Sequence, residues 1–538
     1  MNVQRDYDVV VLGAGAAGLT AALAAHDQGA SVGVFEKAET VGGATAMSGG
    51  VVWIPNNRYG KAAGVDDSRE AALAYLASLS HGKILPELAE ALVDGGPPML
   101  DWLDAATPLK LRLLAGYPDY HPEHPGGQPG GGRSLEPALF SFDRLNGWAE
   151  RVGGGDKPIA ISESPLGGGS GFLDPDELQA RRRKRLQGAG RALVGGLLLG
   201  CLERGVEPVT GARATRLLRN EDGRICGVAF EGRDGGFEAR ARRGVVLATG
   251  GFEWAPDLVR DFLRGPLAQP PSFAGNTGDG LRMAMQLGAQ LGNMQEAWWA
   301  PVAIPPGEAP APMLVLRERT LPRSILVNGR GRRFANEAAN YNALGAAFHQ
   351  FDAGRFDYAN VPAWLICDAT FVQLYGGFGA PPGSFPDWAV KADTLEGLAD
   401  RIGVPGPELA ATVARWNAHA SELRDPDFGR GESRYDGWSG DQRFHPAPQA
   451  TLGPIDTAPF YAVQIHPTAL GTKGGPRTDA AARILDTEGA PIPGLYGAGN
   501  VIAGPTGMVY GGAGGTLGPA MVFGWIAGRT AAASNTLA

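Results

Sequence analysis

The sequence predicts an α/β protein in two parts: a parallel-sheet domain assembled from separated stretches of chain, and an α+β domain inserted into it. Three observations carry this. A short apolar run, Tyr7–Leu12, ends in the turn Gly13-Ala14-Gly15-Ala16-Ala17-Gly18 and leads into a helical pattern and a second apolar run, Ser31–Phe35. Two further apolar runs that end in small residues, Gly244–Gly251 and Gly494–Asn500, lie far downstream. Residues 299–467 carry no such signal. The expected division is therefore residues 1–298 and 468–538 for the discontinuous domain, with residues 299–467 capping its ligand.

The N-terminal unit justifies a Rossmann-type reading. Gly13 makes the tight turn, Gly15 admits the backbone to a pyrophosphate, and Gly18 lets helix and strand pack closely. Ala16 and Ala17 open the helix, whose free N–H groups and positive dipole end face the phosphates. Glu36, with Lys37 beside it, closes the second strand where ribose hydroxyls need an acceptor. A second glycine-rich loop follows, containing Gly42, Gly43, Thr45, Ser48, Gly49 and Gly50. A loop just past the ribose acid suits a ligand longer than NAD, and the expected cofactor is FAD.

The later runs support the same cofactor. Ala248-Thr249-Gly250 ends a strand that re-enters the sheet, and Asp279 lies shortly beyond it. Gly499 and Asn500 close the last strand beside the expected ribityl chain. Gly515-Thr516-Leu517 can start a helix aimed at the flavin ring, where a positive helix end favours the reduced anion. No second strand–GxGxxG–helix unit with its own acid occurs. A dedicated NAD(P) site is not expected, and the electron acceptor is left unidentified.

Composition bounds the rest. The 538 residues are 44% hydrophobic and 19% charged, which suits an ordinary core split over two domains. The 82 glycines and 41 prolines cluster in short loops, as tight turns and close ligand approaches require. The stretch from about 100 to 185 reads as long loops. A net charge of −8 argues against a nucleic-acid partner. The basic run Arg181–Arg185 lies in a helical stretch and reads as a solvated face. Cys201, Cys226 and Cys367 are far apart and form no CxxC pair, so neither a metal site nor a disulfide is expected. The longest apolar stretch, Ala192–Cys201, is about half the roughly 20 residues a membrane span needs. With no secretory signal at the start, the expectation is a cytoplasmic protein with at most peripheral membrane contact.

Four stretches resemble the 3-ketosteroid Δ1-dehydrogenases, within the succinate dehydrogenase/fumarate reductase flavoprotein superfamily. They are Gly42–Asn57, Gly116–Gly127, Gly331–Tyr341 and Tyr510–Met521, the last preceded by Leu470-Gly471-Thr472-Lys473-Gly474-Gly475. The resemblance covers nearly the whole chain and is weakest around 140–190 and 345–445. Covalent members of the superfamily carry a His in the second glycine loop. None lies between residues 37 and 50, which implies non-covalent FAD.

The resemblance further implies an apolar, steroid-like ketone substrate. Tyr510 O–H and Gly514 N–H would hold its oxygen, Tyr341 would be the base, and Tyr120 would hydrogen-bond to Tyr341. Tyr117, three residues before Tyr120, is an alternative for that role. Fumarate reductases hold a dicarboxylate with arginines at the positions of Tyr341 and Tyr510, so this chain suits a neutral substrate better. Trp298, Trp299 and Phe273 either line an apolar pocket or pack the core. His466 is either structural or near the substrate. Besides α,β-dehydrogenation of a cyclic ketone, two other functions are expected alternatives: an ene-reductase or desaturase of another cyclic ketone, and an electron-relay flavoprotein subunit.

Overall fold

The computed structural model describes residues 5–233, 235–308 and 311–535. Its first sheet has seven strands. The parallel core runs Val32–Phe35, Arg5–Leu12, Gly235–Leu247, Pro491–Gly497 in spatial order, and Arg483–Leu485 adds an antiparallel edge. Val9 to Leu12 and Val245 to Leu247 are buried on both faces of the sheet, which is why they read as unbroken apolar runs rather than alternating ones. Arg213–Arg219 and Ile225–Gly232 form an antiparallel extension on the first half of the long central strand.

Three helices, Ala16–His26, Ala189–Leu202 and Leu517–Ala533, are buried around most of their circumference. Small residues make this possible. A Cβ at Gly524 or Gly528 would come within 2.5 and 2.2 Å of the carbonyl oxygens of Ala17 and Ala21, so the first and last helices touch backbone to backbone.

The second sheet has six strands and is antiparallel. Its order is Met313–Leu314, Ala297–Ala303, Phe460–Thr472, Ala363–Asp368, Ser324–Asn328, with Val390–Ala392 also paired to the long strand. Both expected domain boundaries fall inside strands of this sheet. One of its faces packs on helices Leu395–Ile402 and Gly406–Ser421, the other on Phe348, Phe371 and their neighbours.

Two expectations need correction. The stretch 100–185 is not merely long loops: Leu111–Ala115 and Gly131–Pro137 pair with each other, and the latter also with Val52–Trp53. The glycines that suggested loops open that strand, with Gly131 and Gly132 at φ of 78° and 116°. The basic run is not wholly a solvated helix face either. The helix ends at Arg183, and Arg181 is 11% exposed between Glu163 and Glu177. The three cysteines are free, and no described helix is long and apolar enough to cross a membrane.

Candidate active site

A single cavity of about 610 Å³ runs from the N-terminal glycine turn to the second sheet. At one end the glycines do what their spacing demanded. A Cβ on Gly13, whose φ is 104°, would lie 2.3 Å from Ala248 O, and one on Gly18 would lie 1.9 Å from Gly13 O. Gly15 faces the cavity, its nearest neighbour being Thr45 Oγ1, which accepts from the Ala16 N–H at 3.1 Å. Thr45 thus ties the second glycine loop to the first. Glu36 is held by the Ala14 and Ala38 N–H groups, each at 3.0 Å, and burial pushes its carboxyl up. Lys37 Nζ donates to Asp279 Oδ2 and Thr277 Oγ1, both at 2.7 Å, and Arg213 reaches Asp279 at 3.2 Å.

The other end is a tyrosine cluster. Tyr341 is the first residue of the helix Tyr341–Ala347, whose cap, Asn340, accepts from the Ala343 N–H. Its hydroxyl donates to Tyr510 Oη at 2.9 Å and accepts from Tyr120 at 3.3 Å. The three rings meet edge to face, with centroids 5.0 to 5.7 Å apart. Alongside, Asn340 Nδ2 donates to His121 Nε2 at 3.0 Å, so the neighbours of the two tyrosines are joined as well. The Tyr120 N–H donates to Gly511 O at 2.9 Å, and Tyr75 O–H to the same oxygen at 2.7 Å, which brings the Tyr120 loop against the Tyr510 loop. Burial pushes the hydroxyls of Tyr120 and Tyr341 well above the ordinary value of 10, and that of Tyr510 upward as well.

Gly514 has φ of 92°, and a Cβ there would strike the Val51 backbone at 2.6 Å. Its carbonyl accepts from Trp53 N–H, while its own N–H has no hydrogen-bond partner among the described residues. Behind Tyr510 stands Trp298, with ring centroids 4.7 Å apart, and its Nε1 donates to Asn500 Oδ1. Lys473, buried, lies 4.1 Å over the Trp298 ring and donates to the carbonyls of Met508 and Val509. Among the described residues no arginine lines the cavity. Its cations among the described residues are Lys37 and Lys157.

The FAD binding domain model matches residues 8–517. The chain belongs to the FAD binding domain family. It is 41% identical to the 3-oxosteroid 1-dehydrogenase of Mycobacterium tuberculosis, over 98% of each chain. It is also 41% identical to the 4-oxocyclohexanecarboxylate 2-dehydrogenase of Sinomonas cyclohexanicum, over 98% of this chain and 93% of that one. The crystal structure of 3-ketosteroid Δ1-dehydrogenase from Sterolibacterium denitrificans with 1,4-androstadiene-3,17-dione matches with TM-score 0.91 at 36% identity, covering 98% of this chain and 100% of that chain. The protein is accordingly an FAD-dependent oxidoreductase of the 3-oxosteroid 1-dehydrogenase type, with the mixed α/β fold expected of it.

The cavity fits FAD. Besides the two glycine loops, Thr249 Oγ1 on its wall is buried without a hydrogen-bond partner among the described residues, a group that a polar ligand satisfies. Gly42, Gly43, Ser48, Gly49, Gly50, Ala248, Gly250, Asp279, Gly499, Asn500, Thr516 and Leu517 line the cavity, as do Tyr120, Tyr341, Tyr510 and Gly514. Gly18 and Gly515 do not. The first packs on Gly13, and a Cβ at the second would meet the Tyr510 ring at 2.9 Å.

Of the remaining expectations, Phe273 lines the cavity, Trp298 stands behind Tyr510, and Trp299 and His466 are outside the lining. Sequence reasoning missed the wall built by Ile159, Ile161, Leu166, Leu314 and Leu316, and Lys157 among them. Lys157 Nζ donates to the carbonyls of Ala46, Met47 and Ser48 at the end of the second glycine loop. No motif marks these positions. Leu470, on the same wall, is the exception, since it opens the stretch Leu470–Gly475.

Proposed function

We propose that this enzyme introduces the 1,2 double bond of 3-ketosteroids. The observation that carries the reading is the Tyr341 hydroxyl held between those of Tyr510 and Tyr120, in a cavity whose far wall is apolar. Tyr510 O–H and the free Gly514 N–H polarise the ketone oxygen, which acidifies the neighbouring carbon. Tyr341 Oη takes the α-proton, and the Tyr120 hydroxyl steadies the charge on that oxygen. FAD, when bound, supplies the acceptor for the β-hydride. A free phenol titrates at about 10, and burial raises these further. Turnover is therefore expected to climb from neutral toward alkaline pH.

A smaller cyclic oxo acid is the second reading, favoured by equal identity to the 4-oxocyclohexanecarboxylate dehydrogenase. Against it, a carboxylate in this cavity meets no arginine, and Lys157 is already engaged with three carbonyls.

The deciding experiment mixes the holoenzyme anaerobically with androst-4-ene-3,17-dione and, separately, with 4-oxocyclohexanecarboxylate. Bleaching of the flavin band by the steroid, with the 1,4-diene as product, is expected. Bleaching by the oxo acid alone overturns the steroid reading. Tyr341→Phe and Tyr510→Phe are expected to keep their FAD and lose turnover by about a hundredfold or more. Full turnover in both removes the tyrosine mechanism.

A further inference from the structure

Tyr120 and Tyr341 each have a polar neighbour in the chain, and those neighbours are bonded to each other. Among the described residues, two hydrogen bonds join the Tyr120 loop to the start of the Tyr341 helix. One is Tyr120 O–H to Tyr341 Oη at 3.3 Å, long for a pair of hydroxyls. The other, at 3.0 Å, runs between Asn340 Nδ2 and His121 Nε2. Neither Asn340 nor His121 lines the cavity. Their bond lies one residue outside the reacting hydroxyls on each side, where it sets their separation without touching substrate.

The helix cap decides which group donates. Asn340 is 1% exposed, and its Oδ1 accepts the Ala343 N–H at 3.0 Å, which turns Nδ2 toward His121. An amide nitrogen only donates, so His121 Nε2 accepts, and the ring is neutral with its proton on Nδ1. Burial pushes His121 down to about 4, and His124, its ring 5.7 Å away, pushes the same way against the weaker pull of Glu123. The accepting, neutral ring therefore persists from neutral to alkaline pH.

The same connection runs onward to Tyr510. His121 N–H donates to Tyr75 Oη at 3.1 Å, and both Tyr75 O–H and Tyr120 N–H donate to the carbonyl of Gly511, the residue after Tyr510. The three segments that bring tyrosines to the cavity are thus tied by a frame of hydrogen bonds outside it. Asn340–His121 is the member of that frame that attaches the Tyr341 helix.

We propose that Asn340 and His121 are positioning residues for proton abstraction: their hydrogen bond holds the Tyr341 hydroxyl at working distance from Tyr120 and from the α-carbon of the substrate. The inference rests on the reading of Tyr341 as base. Neither Asn340 nor His121 exchanges a proton in the step. Tyr341 Oη, its own proton already lost to solvent, takes the α-proton. The electron pair of that C–H bond forms the new double bond, and the β-hydrogen leaves as hydride to the enzyme's redox cofactor.

The test uses His121→Phe, His121→Gln and Asn340→Ser holoenzymes, with Tyr341→Phe beside them. Phe fills the space of the imidazole without an acceptor, and Gln restores an acceptor oxygen. Ser keeps the helix cap but is too short to reach His121. FAD content is measured, then kcat and KM for androst-4-ene-3,17-dione and the kinetic isotope effect of the same steroid deuterated at its α-carbon. His121→Phe and Asn340→Ser are expected to keep their FAD and lose kcat on the order of tenfold, as a small misplacement of a reacting group does. KM stays within about twofold, and the isotope effect is at least as large as in wild type. His121→Gln recovers most of the loss. Unchanged kcat in His121→Phe or Asn340→Ser overturns the proposal, as does a loss in His121→Gln equal to that in His121→Phe. An isotope effect that collapses toward one also overturns it, by placing the slowed step elsewhere. Loss of FAD from both His121→Phe and Asn340→Ser overturns it by assigning the pair to folding alone. Full turnover in Tyr341→Phe removes the underlying reading instead, whatever the other variants do.

Discussion

At the residue scale, glycines with positive φ separate into those that shape the site and those that merely turn the chain. Gly514 and Gly29 make the contrast: φ is 92° and 81°, but a Cβ at Gly514 meets the Val51 backbone, whereas nothing lies within 4 Å of one at Gly29. Left-handed backbone costs an L-residue about 1–2 kcal/mol at either place. Only Gly514 adds a collision beside the proposed ketone site. Gly514→Ala is expected to lose kcat/KM by about a hundredfold, the scale of a lost oxyanion donor. Gly29→Ala should keep wild-type kcat/KM and melt a few degrees lower. Equal activity in the two variants would take Gly514 out of the site. The glycines of the first turn were readable because close backbone packing forbids a side chain at Gly13 and Gly18, and that rule acts over a few residues. The burial of Arg319, 1% exposed, was not readable, because an arginine looks the same in sequence whether it is buried or exposed. The apolar wall at Ile159, Ile161 and Leu166 was equally hidden, since many residue types satisfy an apolar contact.

Individual elements are pinned by charge as much as by propensity. The turn before the Tyr341 helix carries Glu337, fully buried, with Arg333 and Arg430 bonded to the same carboxylate. Burial alone raises that carboxyl, but the two guanidinium groups more than reverse it and hold it below its ordinary 4.5. A depressed carboxyl contributes stability that is complete above the ordinary value and fades as pH falls through the folded one. The melting temperature is therefore expected to drop below about pH 4.5, and Glu337→Gln should flatten that drop. The same substitution leaves the buried Arg430 without a carboxylate and Arg333 with Asp425 alone, and is expected to cost about 3–5 kcal/mol in denaturant unfolding near neutrality. A variant as stable as wild type would show that the network is dispensable. From the sequence, the strand–turn–helix units of the first sheet were legible because they are local. The sheet Val52–Trp53, Gly131–Pro137, Leu111–Ala115 was not, because its pairing joins distant segments through glycine-rich ends.

For the whole molecule, the cavity is the seam between the two sheets, and its lining comes from segments at both ends of the chain. Removing FAD is expected to lower the melting temperature by several degrees, since a ligand at a hundred times its Kd adds about 2.7 kcal/mol. Hydrogen exchange should then rise first in the loops 40–50 and 271–279, which line the cofactor end. Unchanged melting on flavin removal would contradict that placement. The order of the parallel strands also bears on biosynthesis. Gly235–Leu247 sits between Arg5–Leu12, made early, and Pro491–Gly497, made almost last. Until the ribosome has released that last strand and the helix Leu517–Ala533, the middle strand has one bare edge and the first helix one bare face. The nascent chain carries the bare helix face through nearly all of its translation and the bare strand edge through the second half of it, the kind of exposure that makes an unfinished chain prone to aggregate until its final segment arrives.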